Sequence, residues 1–329
     1  MTNTDFEDQR RFLFGLCYRM TGSAADAEDL VQETFLRAIE RPPVNTELPW
    51  RPWLVRVAMN LARDGLRRRR RATYIGPWLP APIETGVEAS PPSHEPLASD
   101  GTPATHYDLL ESVSFAFLLS LEKLTPQQRA VLLLRDVFEY SVRETAAALA
   151  ISEANVKTSH HRARASMREY NAARITPSRS IQQRTGQALN RFLSCLRDRD
   201  MAGLEALLVE GVRTVTDAGG EFLSALRPIV GRDRVIRFFW KTAERYRTKL
   251  ETRCTANGLP AVILALPASE NPKVRIGPRL MLGCEINCDD KIKTIYMVSA
   301  TRKLALLLGR DEKPAPEARH NLVHPGVQR

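Results

Sequence analysis

The sequence predicts a multidomain chain in which two all-α units precede an α+β unit. Three observations carry this. Apolar residues recur at three- and four-residue spacing through residues 1–75 and again through 109–174. Between them, residues 76–108 are rich in proline and small residues and carry acids but no lysine or arginine. Beyond about residue 180, helical patterns give way to short strand-like runs separated by turn signals.

The first unit, 1–75, reads as three helices. Phe12, Leu13, Leu16 and Met20 form one apolar stripe, interrupted at Thr21-Gly22-Ser23. Leu30, Val31, Thr34, Phe35 and Ala38 form a second, with Asp26, Glu28, Asp29 and Glu33 on the exposed side and Pro42-Pro43 closing it. A third helix covers about 52–70, with Leu54, Val57, Ala58 and Leu61 inward. The second unit, 109–174, contains a good helix start at Thr125-Pro126, with proline at the first helical position. Its most informative stretch is 142–167, two short helices around a tight turn. Ala146, Leu149 and Ile151 pack the first on the second, Ser152 caps the second, and Val156, Ala163 and Met167 are its inner positions. Ala150 stands where a turn glycine is usual. The third unit, 180–329, begins with helices at 186–197 and 201–208. Another helix follows at 232–246, then strands at 261–266, 280–286 and 292–298, with hairpin turns at Asn257-Gly258 and Asp289-Asp290.

Charge points to the partner. The 329 residues are 43% hydrophobic and 26% charged, ordinary for a globular protein, but the net charge of +10 favours a polyanion. No apolar run approaches the ~18 residues of a membrane span, and the acidic, polar start is unlike a signal peptide, so a cytoplasmic chain is expected. Five scattered cysteines fit reduced thiols; Cys284 and Cys288 read as buried thiols, because no second ligand pair completes a zinc site. Residues 1–49 hold nine acids and five basic residues, whereas 50–75 hold eight arginines and one acid, five of the arginines consecutive at 67–71. Such a reversal implies two faces with two partners: a protein for the acidic helix and phosphate for the arginine helix. In the helix-turn-helix, Lys157, Thr158, His161, Arg162 and Arg164 cover the outward face, as major-groove contacts require.

Together these motifs resemble the extracytoplasmic-function group of bacterial sigma-70 transcription factors, over about residues 8–172. Asp26 to Phe35 resembles the region 2 helix that grips the clamp helices of RNA polymerase. Trp53 to Arg71 resembles the helix that handles the −10 promoter element, and Leu124 to Arg164 resembles region 4, which binds the −35 element and the polymerase flap. The resemblance implies polymerase contacts at Asp26, Glu28, Asp29, Gln32 and Glu33. It implies −10 contacts at Asn60, Arg56, Arg63, Arg67 and Arg68, with the loop 41–50 beside the bases and Asn60 holding a flipped base. Such a capture site offsets the few kcal/mol that unstacking costs. RNA polymerase core and promoter DNA are therefore the expected partners.

The last 150 residues resemble the SnoaL-like extension of one subgroup, a cone-shaped α+β fold. Trp78-Leu79-Pro80-Ala81-Pro82 is similar to its WLPEP linker motif, and Thr216-Asp217-Ala218-Gly219-Gly220 to its DGGG motif, with Ala81, Ala218 and Glu221 departing from the pattern. The close, Ser299 to Leu304, also departs from the NPDKL-type end. Trp78, Leu79, Pro80, Asp217, Gly219 and Gly220 are the implied regulatory residues. Some SnoaL-like relatives are enzymes, and Asp217, Glu221 or Asp233 could act as an acid or base. No histidine lies between Arg162 and Arg319, and no phosphate loop, metal motif or nucleophile elbow occurs, so neither catalysis, cofactor nor metal is expected. The extension is expected to regulate the first two units, by docking on them or by holding a small-molecule ligand in its cone. The alternative, a stand-alone helix-turn-helix regulator with a ligand domain, leaves the acidic helix and residues 53–71 without a role.

Overall fold

The computed structural model describes residues 3–43, 49–69, 74–85, 107–246, 248–268 and 275–307. Residues 44–48 of the loop expected beside the −10 bases, Arg70 and Arg71 of the arginine run, and 86–106 of the linker lie outside the described residues. The order is α1 (Asn3–Thr21), α2 (Ala24–Glu40), α3 (Arg51–Arg69), a 3-10 turn (Glu111–Val113), α4 (Phe115–Leu121), α5 (Pro126–Asp136), α6 (Val142–Leu149), α7 (Glu153–Ser166) and α8 (Arg168–Ala173). The extension follows with α9 (Arg179–Asp198), α10 (Met201–Leu207), β1 (Leu208–Asp217), β2 (Ile229–Val230), α11 (Arg232–Arg245), β3 (Lys249–Ala256), β4 (Leu259–Ala265), β5 (Arg279–Ile286), β6 (Ile292–Val298) and α12 (Thr301–Leu304).

Local chemistry sets the helix starts. Ser23, Ser114, Ser152, Ser178 and Asp200 each accept a hydrogen bond from a first-turn N–H, satisfying a donor the helix cannot. Thr125 with Gln128 and Ser141 with Glu144 form reciprocal capping boxes. The two helical units share one core: Leu13, Leu16 and Met59 belong to the same buried cluster as Phe117, Leu132 and Val156. Two buried arginines tie the units together. Arg19 donates to Ser112 Oγ at 2.7 Å and to Leu109 O at 2.8 Å, and Arg129 donates to Met20 O at 2.8 Å.

The extension is a six-stranded sheet in the order β2-β1-β6-β5-β4-β3, antiparallel throughout except for the β1–β6 pair. Its two faces do different work. One packs against α9 and α11 through Phe192, Phe239, Leu282 and Ile295. Ile263, Met281, Tyr296 and Val298 point the other way and bury Leu79, Phe115 and Leu304. Phe115 of α4 stacks on Tyr296 with ring centroids 4.9 Å apart.

Three strands escape the sequence reading. β3 is an edge strand, exposed over most of its length, so it lacks an apolar stripe. A register shift between Leu208 and Arg213 breaks the alternation of β1, and β2 has two residues. Cys284 is buried and Cys288 exposed, a correction to the expectation that both are buried; burial pushes the Cys284 thiol up to about 12.

Candidate nucleic-acid interface

Helix α7 presents its expected outer face. Lys157, Thr158, His161 and Arg162 are exposed, while Val156, Ala163 and Met167 are buried. The turn before it holds Ala150 in the left-handed region at φ 53°, where glycine is favoured. Arg164, also expected on DNA, is exposed and bound within the fold. Its Nε and Nη2 donate to the two oxygens of Asp136 at 3.0 and 2.9 Å, and His160 Nε2 lies 2.8 Å from the same carboxylate. A planar guanidinium matches a carboxylate edge to edge, so Arg164 fixes α7 on α5. Burial opposes ionisation of Asp136, but the bonds from His160 and Arg164 outweigh it and hold its carboxyl below the ordinary range.

Most of the residues expected at the −10 element are engaged within the fold. Arg56 Nε donates to Ala147 O and Arg63 Nη1 to Leu149 O, both at 3.1 Å. These carbonyls belong to the last turn of α6, where they have no partner within the helix and the helix dipole is negative. Two arginines expected on DNA are in this arrangement bound to the carbonyl end of α6. Arg63 is buried, and burial beside Arg67 lowers its proton affinity against the pull of Asp64. Asn60, partly buried, accepts from Arg63 at 3.5 Å. Arg67 pairs with Asp64 at 2.8 Å, and Arg68 is exposed. Arg69 turns inward to Glu122 at 2.7 Å and lies 4.6 Å from the centre of the Trp78 ring.

On α2, Asp26, Asp29 and Gln32 are exposed, and Glu28 and Glu33 are half-buried, with Glu33 2.8 Å from Arg37. Leu36 and Ile39, 49% and 79% exposed, continue the Asp29-Gln32 face. Two large apolar residues outside the inner stripe were the available signal for a protein-binding face.

Of the residues expected to be regulatory, Leu79 and Gly219 meet on the carboxylate of a third, Asp217. Asp217 Oδ2 accepts from Leu79 N–H and from Lys303 Nζ, each at 2.6 Å, while Oδ1 accepts from Tyr74 Oη at 2.6 Å and Gly219 N–H at 2.9 Å. Lys303 Nζ also donates to Leu79 O at 2.6 Å and lies within 5.0 Å of the Tyr74 and Trp78 ring centres. Burial lowers the Lys303 pKa, and Asp217 opposes that. Gly219 and Gly220 have φ of 60° and 75°, and a Cβ on Gly220 would stand 3.0 Å from Ile75. Trp78 sits on Gly22, where a Cβ would meet it at 2.5 Å; Pro80 is buried beside it. Asn257, in the predicted hairpin turn, completes the seam: its Oδ1 accepts from Ile83 N–H, and its Nδ2 donates to Tyr18 Oη and Val113 O. Sequence reasoning missed Lys303, which stands in the close that departs from the subgroup pattern. It also missed Asn257, taken only as a turn residue.

Comparison with known proteins agrees with this organisation. The family model for Sigma-70 region 2 matches residues 6–72, and that for Sigma-70, region 4 matches 114–167. Over 248 residues the chain is 33% identical to the ECF RNA polymerase sigma factor SigJ of Mycobacterium tuberculosis, covering 75% of this chain and 74% of that protein. It is 42% identical over 170 residues to SigG of the same species, covering 49% and 46%. The crystal structure of Mycobacterium tuberculosis SigJ superposes with a TM-score of 0.69 at 26% identity, covering 92% of this chain and 98% of that one. The chain belongs to the ECF RNA polymerase sigma factors.

Proposed function

We propose that this chain directs RNA polymerase core to specific promoters, and that the fold described above is its closed, self-regulated state. The observation that carries the reading is the double use of α3: Arg56 and Arg63, the residues suited to the −10 strand, are spent on the carbonyl end of α6. Residues 1–75, 109–174 and 180–329 act as the −10 and polymerase unit, the −35 unit and the regulator, joined by the linker 76–108. Polymerase binds Asp26, Glu28, Asp29, Gln32 and Glu33 with Leu36 and Ile39. Lys157, Thr158, His161 and Arg162 read the −35 element, with Arg164 positioning their helix. After opening, Asn60, Arg56, Arg63, Arg67 and Arg68 take the −10 strand.

The extension keeps the two DNA-binding units together through the linker. Residues 79, 81 and 83 are buried between the sheet and the helices, and Asp217 and Lys303 fasten that strip. Opening requires polymerase or promoter to bind the open form more tightly than the closed one. Asp217 is fully engaged in holding the linker, Glu221 accepts from Thr301 N–H, and Asp233 is exposed, which supports a regulatory rather than catalytic extension. Among the described residues no helix is long and apolar enough to cross a membrane, in keeping with a cytoplasmic site of action.

Run-off transcription with purified core polymerase tests the reading by comparing the full chain with residues 1–174. The truncated chain is expected to give more transcript from the same promoter. Less transcript would make the extension a brace, and no core binding by either form would overturn the sigma-factor reading.

A further inference from the structure

A cavity of about 530 Å³ lies on the outer face of the extension's sheet, between β1, β5 and β6 on one side and α4 and α8 with the linker on the other. Ile181 and Thr185 of α9 close one end of it. Its volume lies within the ~300–1,000 Å³ typical of small-molecule sites.

The lining has a charge preference. Lys123, Arg174, Arg213 and Lys293 face Glu169 and Glu285. Lys123 pairs with Glu169, Lys293 lies 3.7 Å from Glu285, and Arg174 lies 3.5 Å from Glu111. Arg213 stands apart: its Nε reaches Thr294 Oγ1 at 3.4 Å, and no carboxylate among the described residues lies within ion-pair distance. A second observation is independent of charge. Thr185 lines the cavity and is fully buried, yet its Oγ1 has no hydrogen-bond partner among the described residues. A buried hydroxyl left unpaired is costly, and a ligand in the cavity would supply the missing partner. The rest of the wall includes apolar and aromatic side chains such as Leu119, Val215 and Tyr296.

We propose that this seam is a binding site for a small amphipathic anion, with a carboxylate or sulfonate on Arg213, a polar atom within reach of Thr185 Oγ1, and an apolar body against Leu119 and Val215. Because the cavity exists between the units as they are packed, such a ligand binds the closed arrangement in preference to the open one and holds it shut. The binding step stands apart from the sigma-factor reading; its effect on transcription rests on that reading.

Isothermal titration of the full chain with decanoate tests the site, with decanol and decyltrimethylammonium as neutral and cationic counterparts. Decanoate is expected to bind saturably at one per chain, at least tenfold tighter than either. Arg213→Glu, at an exposed position, weakens decanoate at least tenfold. Thr185→Val weakens it about threefold while raising the thermal midpoint of the unliganded protein, since the change removes an unpaired buried hydroxyl. Equal affinity for decanol, or an Arg213→Glu affinity within twofold of the parent, overturns the proposal. Saturating decanoate is expected to lower run-off transcription from the full chain and not from residues 1–174. Binding without that effect would refute the regulatory consequence while leaving the site standing.

Discussion

Replacing Asp217 by Asn tests the closed state with little change of shape. The amide keeps one oxygen toward Tyr74 Oη and Gly219 N–H. At the other position, 2.6 Å from both Leu79 N–H and Lys303 Nζ, it puts an NH₂ where two donors already point. Two charge-assisted bonds are lost, each worth about 1.5–3 kcal/mol. The Lys303 ammonium loses its anion beneath the Tyr74 and Trp78 rings. Removing one partner of a buried pair costs about 3–5 kcal/mol, and this figure already contains the bond losses. The rings that cover Lys303 are Tyr74, at the end of the first unit, and Trp78 of the linker, so once this strip lifts away the ammonium is hydrated and the loss disappears. The cost therefore falls on the closed form.

At 1.36 kcal/mol per factor of ten, closure weakens by roughly 10² to 10⁴. Run-off transcription with core polymerase should rise toward that of residues 1–174, and limited proteolysis should cut sooner within 74–85. Asp233→Asn, at an exposed position, should change neither. Transcription within twofold of the parent, with an unchanged cleavage pattern, would refute the idea that this carboxylate holds the state shut.

Ala150→Gly should stabilise region 4 by about 0.5–1 kcal/mol in urea denaturation, the relief of left-handed strain exceeding the added chain entropy; a loss of stability would contradict this. The Asp136 carboxyl titrates lower in the folded chain than in the unfolded one, so the unfolded chain takes up the proton first as pH falls. Its stabilising contribution is complete above the ordinary carboxylate range and is lost as pH falls through the folded value. Asp136→Asn should be less stable than the parent at pH 7 and show a flatter acid limb. Arg162→Ala should weaken −35 binding and, if it contacts phosphate, lower the slope of log K against log salt by about one, measured by fluorescence anisotropy in a salt series.

The helical half was legible because its signals are local. Thr125-Pro126 and Ser152 fix helix starts within four residues, and the inner positions of α7 repeat at helical spacing. The edge strand β3 was not legible, because its polar surface carries no periodicity. Nor was the fate of Arg56, Arg63, Arg69 and Arg164. An arginine suited to phosphate is equally suited to a carboxylate or to the carbonyl end of a helix, and only the tertiary fold decides which anion is near. Lys303 lay hidden for the same reason: its partners Leu79 and Asp217 are 224 and 86 residues away in sequence.

That ambiguity is also what makes a reversible latch workable. The guanidinium groups of Arg56 and Arg63 meet α6 carbonyls, which together carry about half an elementary negative charge at a helix end. A nucleic-acid strand offers full charges and releases counterions on binding. The closed contacts are therefore good enough to occupy these side chains and weaker than the contacts proposed to replace them. A carboxylate at the end of α6 would hold Arg63 more firmly and oppose the exchange. Leu149→Asp would lose apolar packing as well, so Ala150→Asp, at an exposed position beside the same carbonyls, is the cleaner test. It should lower transcription from the full chain and leave −35 affinity of an isolated 109–174 fragment within twofold, whereas equal transcription by the full chains would show that this contact does not limit opening.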